Sequence, residues 1–155
     1  MKLSSISFLA AIAGTVILTG CASQNAAPIT AQDLQAHRWV LSTVDKQAIQ
    51  TDPTASQAFL QFDNSMMASG NASCNNFFGK AKLDDNRLRV DKLALTMKLC
   101  PDTIMKQEQI VHGSLSAWNK LTLEDGKLTL KTAAHTLVYQ AEQQPQAKQD
   151  TQAKQ

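Results

Sequence analysis

The run Leu121-Thr122-Leu123-Glu124-Asp125-Gly126-Lys127-Leu128-Thr129-Leu130 constrains the fold of this chain more than any other. Leucines alternate with polar residues on both sides of an Asp-Gly pair. Asp-Gly supplies the positive φ that a two-residue type I′ turn requires, so the segment reads as a β-hairpin with one apolar face. Period-two alternation recurs elsewhere. Trp39, Leu41 and Thr43 interleave with Val40, Ser42 and Val44, which predicts a strand with the first set on one face. Ala58 to Phe62 and Met66 to Ser69 read as two more strands, separated by an Asp63-Asn64 turn. Phe78 to Leu83 and Arg87 to Val90 read as a second hairpin about Asp84-Asp85-Asn86. Leu93 to Thr96 adds a short extended piece, and Thr136 to Gln140 a last strand. Thr51-Asp52-Pro53-Thr54 breaks pairing and reads as a loop.

Two segments read as helix. Thr30-Ala31-Gln32-Asp33 resembles a capping box, predicting a short helix at about 31–36. Pro101 to Trp118 predicts a longer one, since Pro101 fixes φ and Asp102 complements the helix dipole. Ile104, Val111, Leu115 and Trp118 fall on one face, with Glu108 between them, and Gly113 weakens the segment. Trp39 and Trp118 are expected to anchor the core. Several short strands with one amphipathic helix predict an antiparallel sheet curled around that helix.

The N-terminus carries an address. Lys2 precedes an apolar run, Ile6 to Leu18, of the length of a secretory signal and too short to span a bilayer comfortably. The run closes on Leu18-Thr19-Gly20-Cys21, which resembles the Leu-x-Gly-Cys box of bacterial lipoproteins. The resemblance implies cleavage before Cys21 and lipidation of its sulfur, and acyl chains on a glyceride anchor stably where a single chain binds marginally. Residues 1–20 are then the signal peptide, 21–29 a tether, 30–141 the folded domain, and 142–155 a disordered tail of Gln, Lys and Ala. Ala22-Ser23 lacks the acidic residue that commonly retains lipoproteins at the inner membrane. The expected location is the outer membrane, facing the periplasm.

There are three cysteines. With Cys21 acylated, Cys74 and Cys100 are left as an even pair in an oxidising compartment, and they are expected to form a disulfide. Two other arrangements compete: a pair of buried free thiols, and a metal site. The metal site is the weakest, since there is no Cys-x-x-Cys and no histidine at ligand spacing.

Composition excludes more than it assigns. The net charge of +2 gives no reason to expect nucleic acid, and an aromatic fraction of 5% leaves few stacking platforms. His37, His112 and His135 belong to no signature joining a histidine to a serine or cysteine nucleophile. A Cys74–His112 thiol pair is less expected than a disulfide. Asp84-Asp85 with Asp91 lacks the spacing of a calcium loop and reads as a solvated hairpin tip. Met66-Met67 and Met97 read as core filling rather than a soft-metal site. No catalytic residue, metal or cofactor is expected.

Two motifs carry a family resemblance. Gly70-Asn71-Ala72-Ser73-Cys74-Asn75-Asn76-Phe77-Phe78-Gly79 resembles the Gly-x-x-Gly-Cys-Asn-x-Tyr/Phe-x-Gly motif of the META domain. Thr96-Met97-Lys98-Leu99-Cys100-Pro101 resembles its second motif, commonly Thr-Met-Met-Ala-Cys-Pro. The resemblance runs over roughly residues 34–140. It implies an α+β fold, a small antiparallel β-barrel-like sheet with one amphipathic helix packed against it. It also implies a non-enzymatic role in envelope stress, in heat or antibiotic tolerance. Binding of a small molecule or lipid within the sheet is the alternative.

Partners are then the membrane, through the N-terminal lipid, and an unknown envelope protein or small ligand, with the protein itself a monomer. Gly70 and Gly79 are expected to bracket a tight turn, Asn75 to bond neighbouring backbone as in Asx-turns, and Phe77 or Phe78 to plug the core. Thr96 and Pro101 complete the set of structural motif residues. Ser73 and Lys98 depart from the pattern, which has glycine at the first and commonly methionine at the second.

Overall fold

A computed structural model describes residues 27–51 and 56–143. The signal peptide, Cys21 and most of the tail lie outside the described residues. Helix α1 spans Ala31–Gln35 and α2 spans Asp102–Ser116. The strands are β1 (His37–Val44), β2 (Gln47–Ala48), β3 (Phe59–Phe62), β4 (Met67–Asn71), β5 (Asn76–Asp84), β6 (Arg87–Leu95), β7 (Asn119–Glu124), β8 (Lys127–Lys131) and β9 (Thr136–Gln143). All pairings are antiparallel. β1, then β3 through β9, run in chain order, and β9 pairs back onto β1 along nearly its whole length, closing a barrel of eight strands. β2 is a short flap at the end of β1, pairing with Thr43 and Val44 beyond the stretch that β3 covers.

Turn chemistry explains the hairpins. Asp125 and Gly126 have φ of 49° and 71°, Asp85 and Asn86 of 44° and 55°, and Asp45 and Lys46 of 51° and 67°. Each is a two-residue turn with both φ positive, whose twist matches that of the flanking strands. The Asp45-Lys46 turn creates β2, which the sequence did not announce because lysine is a poor residue for that conformation.

Two irregularities re-aim side chains. Opposite β9, the register slips between Leu41 and Thr43, and the Ser42 hydroxyl donates to the Val138 carbonyl at 2.9 Å. The slip changes the phase of β1. Trp39 and Leu41 point into the core as expected, but Val44 replaces Thr43 at the next inward position. The second lies between β5 and β6. Lys92, at φ 51°, is an extra residue facing Gly79, and β6 continues through it as one strand instead of two pieces. A Cβ on Gly79 would sit 2.6 Å from Val90 Cγ1 and 2.9 Å from the Asp91 carbonyl oxygen. Gly79 therefore makes room for the bulged strand rather than shaping a turn.

The interior is filled by side chains. Trp39, Tyr139, Leu41, Leu60, Leu88, Leu121, Leu128, Leu130 and Leu137 are fully buried. β6 and β7 pair only at Arg87↔Lys120 and Leu88↔Asn119. α2 packs against β6 beyond that seam and adds Val111 and Leu115 to the same core. Asn119 secures the seam. Its amide donates to the carbonyls of Ser114 (2.7 Å), Ala117 (2.9 Å) and Leu88 (3.3 Å), tying the end of the helix to β6.

α1, which packs against β1 and β3, is closed by the expected capping box. Asp33 Oδ2 accepts from the Thr30 amide and hydroxyl, and these bonds hold its carboxyl below the usual range. Leu34 is buried, and its carbonyl accepts the Trp39 indole N–H at 2.8 Å. Ile29 enters the domain with its amide bonded to Asn86 Oδ1 at 2.7 Å.

Candidate functional site

The two motif segments meet at one end of the barrel, in a node of polar contacts centred on Asn75. The turn Ala72–Asn75 joins β4 to β5 and is closed by the Ala72 amide donating to the Asn75 carbonyl at 2.8 Å. Cys74 within it is bonded to Cys100 (S–S 2.04 Å, Cα–Cα 6.0 Å), just before α2. The free-thiol and metal arrangements are thereby set aside, and Cys74 offers no thiol to His112.

Asn75 is buried and uses its whole side chain. Oδ1 accepts from the Lys98 amide (2.6 Å) and the Thr96 hydroxyl (2.9 Å), while Nδ2 donates to the Lys98 carbonyl and to Glu108 Oε1 (both 3.1 Å). Its backbone amide donates to Glu108 Oε2 at 2.6 Å. The contacts reach across the fold to the main chain of residue 98, well beyond the local reach of an Asx-turn. They also account for Lys98: the node uses its backbone, and its side chain stands in solvent, so a charge is tolerated there. Thr96 receives the Asn76 amide on its hydroxyl (3.2 Å), and its own amide donates to the Asn76 carbonyl (3.0 Å). Pro101 lies one residue outside α2, where its carbonyl receives the amides of Ile104 and Met105.

Glu108 lies outside both motifs. Its position between Ile104 and Val111 places it on the buried stripe of α2, which was the available signal. Both of its oxygens accept, so glutamine cannot replace it without turning a donor toward a donor. Glu108→Gln is expected to destabilise the domain by about 1.5–3 kcal/mol, the scale of a hydrogen bond to a charged group, read as a lower urea midpoint at unchanged slope. Gln107, beside it, donates to the Ser73 hydroxyl at 2.7 Å and exchanges bonds with the Gln50 backbone. Ser73 sits at φ 104°, a conformation that favours glycine, and its hydroxyl gains a buried partner there.

The remaining motif residues are packing elements. Gly70 lies within β4, opposite Leu60 and Phe77, and the Phe77 ring fills the space over it. Phe77 is buried and Phe78, one residue on, is 59% exposed, as the alternation of β5 requires.

Two expectations are corrected by position. Trp118 is 36% exposed, beyond the end of α2, with the guanidinium groups of Arg89 and Arg87 at 4.9 and 5.3 Å from its ring centre. Asn119 captures the last helical carbonyls, so the helix stops before Trp118 can join the buried face. Met97 is 99% exposed and fills no core, because the chain from Thr96 to Leu99 lies outside the barrel.

Among the described residues, the other polar side chains named from the sequence lie apart from one another and from the Asn75 node. His135 bonds Asp45 at 2.8 Å, and that bond is the main reason the Asp45 carboxyl lies below its usual range. His37 stacks edge-on against Trp39, and His112 is half-buried on α2. Asp84 pairs with Arg87, and Asp91 with Lys82 and Arg89. Among the described residues no group of three or more His, Cys, Asp or Glu is placed to hold a metal. A groove of about 850 Å³ runs outside the barrel between α2 and the β8–β9 loop, lined by Lys106, Ile110, Gly113, Trp118 and Ala133.

Comparison with known proteins places this architecture. The chain is 30% identical over 129 residues to the heat shock protein HslJ of Escherichia coli (strain K12), covering 83% of this chain and 90% of that protein. A structure solved by NMR matches with a TM-score of 0.65 and 31% identity, over 73% of this chain and 95% of the other. A second, from Burkholderia xenovorans, shares the fold at a TM-score of 0.60 and 21% identity, over 73% and 86% of the two chains. The family model described as the META domain matches residues 32–144, the span of the barrel and its two helices, and the chain belongs to that family.

Proposed function

We propose that this chain is a non-enzymatic lipoprotein of the bacterial envelope, anchored through Cys21 to the periplasmic face of the outer membrane, and that it acts in envelope stress such as heat. The observation that carries the reading is its kinship to a heat shock protein over most of both chains. The Leu18–Cys21 box supports the anchor, and the polar residues of the site support a non-catalytic role, since each is engaged in holding the fold. Binding of a ligand within the sheet draws less support, because Trp39, Tyr139 and the core leucines occupy the barrel interior.

Fractionation of cells carrying the full chain tests the anchor. Wild-type protein is expected with the outer membrane, and Cys21→Ser protein to be lost from that fraction. Sedimentation with inner membrane alone removes the assigned location, and a soluble wild type removes the anchor. Heat survival of a strain lacking its own copy tests the stress role. The wild-type gene is expected to restore survival, and the Cys21→Ser gene to restore less.

A further inference from the structure

The outer face of the sheet carries a row of like charges. Across β6, β7 and β8 the register sets Arg87 opposite Lys120 and Lys120 opposite Lys131, all three exposed. Neighbouring strands lie about 5 Å apart, and like charges directly opposite one another destabilise a sheet. Asp84 pairs with Arg87, and Asp91 with Lys82 and Arg89. Lys120 and Lys131 have no acidic partner among the described residues. The described fold thus carries a repulsion that none of its own ion pairs relieves. An anionic surface laid on the row relieves it.

Trp118 adds an aromatic group to this face. Two residues before Lys120 in the chain, its exposed ring lies beside the guanidinium groups of Arg87 and Arg89. Past the ring the surface continues into the groove beside α2, where Ile110, Ala117 and Ala133 are apolar and Lys106 is exposed. Basic residues around a tryptophan and an apolar groove make an amphipathic face. The cations suit phosphate, and an indole ring settles at the headgroup level of a bilayer. The chain leading to Cys21 also leaves the domain here, since the Ile29 amide bonds Asn86, the residue before Arg87. At most about 28 Å of extended chain joins Cys21 to Ile29, a reach that keeps a bilayer at hand but selects no pose. Charge and Trp118 select the pose.

We infer that the face formed by Arg87, Lys120, Lys131 and Trp118 is a second membrane contact, resting on the anionic phosphate headgroups of the bilayer that holds the lipid. Which bilayer it meets rests on the anchor proposed above; the affinity of the face for anionic lipid does not. Each basic residue near an anionic surface is worth about fivefold in partitioning. A contact of this size is weak by itself. A tether makes it an intramolecular event, at a high effective concentration of lipid.

The test uses the chain from residue 21 onward with Cys21→Ser, so that no acyl chain contributes. It is mixed at low ionic strength with vesicles of phosphatidylethanolamine and phosphatidylglycerol. The chain has two tryptophans, and Trp39 is fully buried, so a change in emission on adding vesicles reports Trp118. The expected result is binding with a blue shift, reversed by salt and absent with vesicles of phosphatidylcholine alone. Lys120→Gln and Lys131→Gln each weaken binding about fivefold, and the double variant about 25-fold. Lys98→Gln, beyond the other end of β6, leaves binding unchanged. The melting temperature of the double variant stays at or above the wild-type value, because the change removes a repulsion. Loss of binding is then not loss of fold. No binding to the anionic vesicles, equal binding to the neutral ones, an unshifted emission, or equal binding by the double variant would each overturn the proposal. Since this chain carries no lipid, the outcome is independent of the fractionation that tests the anchor.

Discussion

Gly70→Ala is expected to cost this domain more than about 3 kcal/mol, the upper range for overpacking a core, or to prevent its accumulation in folded form. A Cβ at position 70 would lie 1.9 Å from the Phe59 carbonyl oxygen and 2.8 Å from its carbon. Neither atom belongs to a flexible side chain. β3 would have to separate from β4, breaking pairs such as Leu60↔Gly70. The Phe77 ring, with Cζ 2.9 Å from the same point, closes the other side. Gly113→Ala provides the opposite control: a Cβ there meets nothing within 4 Å, on the exposed face of α2. That variant is expected to stabilise by about 0.5–1 kcal/mol through helix propensity. Urea unfolding of both measures the contrast, and equal midpoints would contradict the packing described at Gly70.

The Cys74–Cys100 bond is expected to contribute about 3–4 kcal/mol, from the loop-closure entropy it removes from the unfolded chain across a separation of 26 residues. Comparing oxidised wild type with the Cys74→Ala/Cys100→Ala double variant measures it, as a fall in melting temperature of about 10–20 °C. Removing both cysteines avoids leaving a reactive thiol. Glu108→Gln made in each background should then reveal coupling, because the disulfide and the Asn75–Glu108 bonds hold the same turn against α2. Strictly additive losses would mean that the two fasten the loop independently.

Much of this fold was legible because local chemistry and packing agree. The Asp125-Gly126 and Asp85-Asn86 turns carry residues suited to positive φ, and the flanking leucines alternate correctly. Where the sequence misleads, a single residue changes phase. Ser42 slips against β9, so Val44 turns inward though strict alternation assigns Thr43. Lys92 bulges, so β6 continues through what reads as a break. Trp118 is large and correctly spaced for the buried face of α2, but the spacing carries no information about where Asn119 ends the helix. Half of the polar node was visible as motif residues. Glu108 and Gln107 were not, since their role depends on a turn more than thirty residues earlier in the chain, and polar residues on a buried stripe acquire meaning only with their partners.

The pairing of β9 with β1 fixes a direction in time as well as in space. The strand that completes the cylinder is the last one made, and its partner is the first. A chain passing N-terminus first through a narrow pore therefore carries an open sheet until its final segment has emerged. Long-range closure of this kind is slow to form, because the ends must meet before their contacts repay the lost freedom. For such a chain the cylinder would close last, once β9 is free to reach β1.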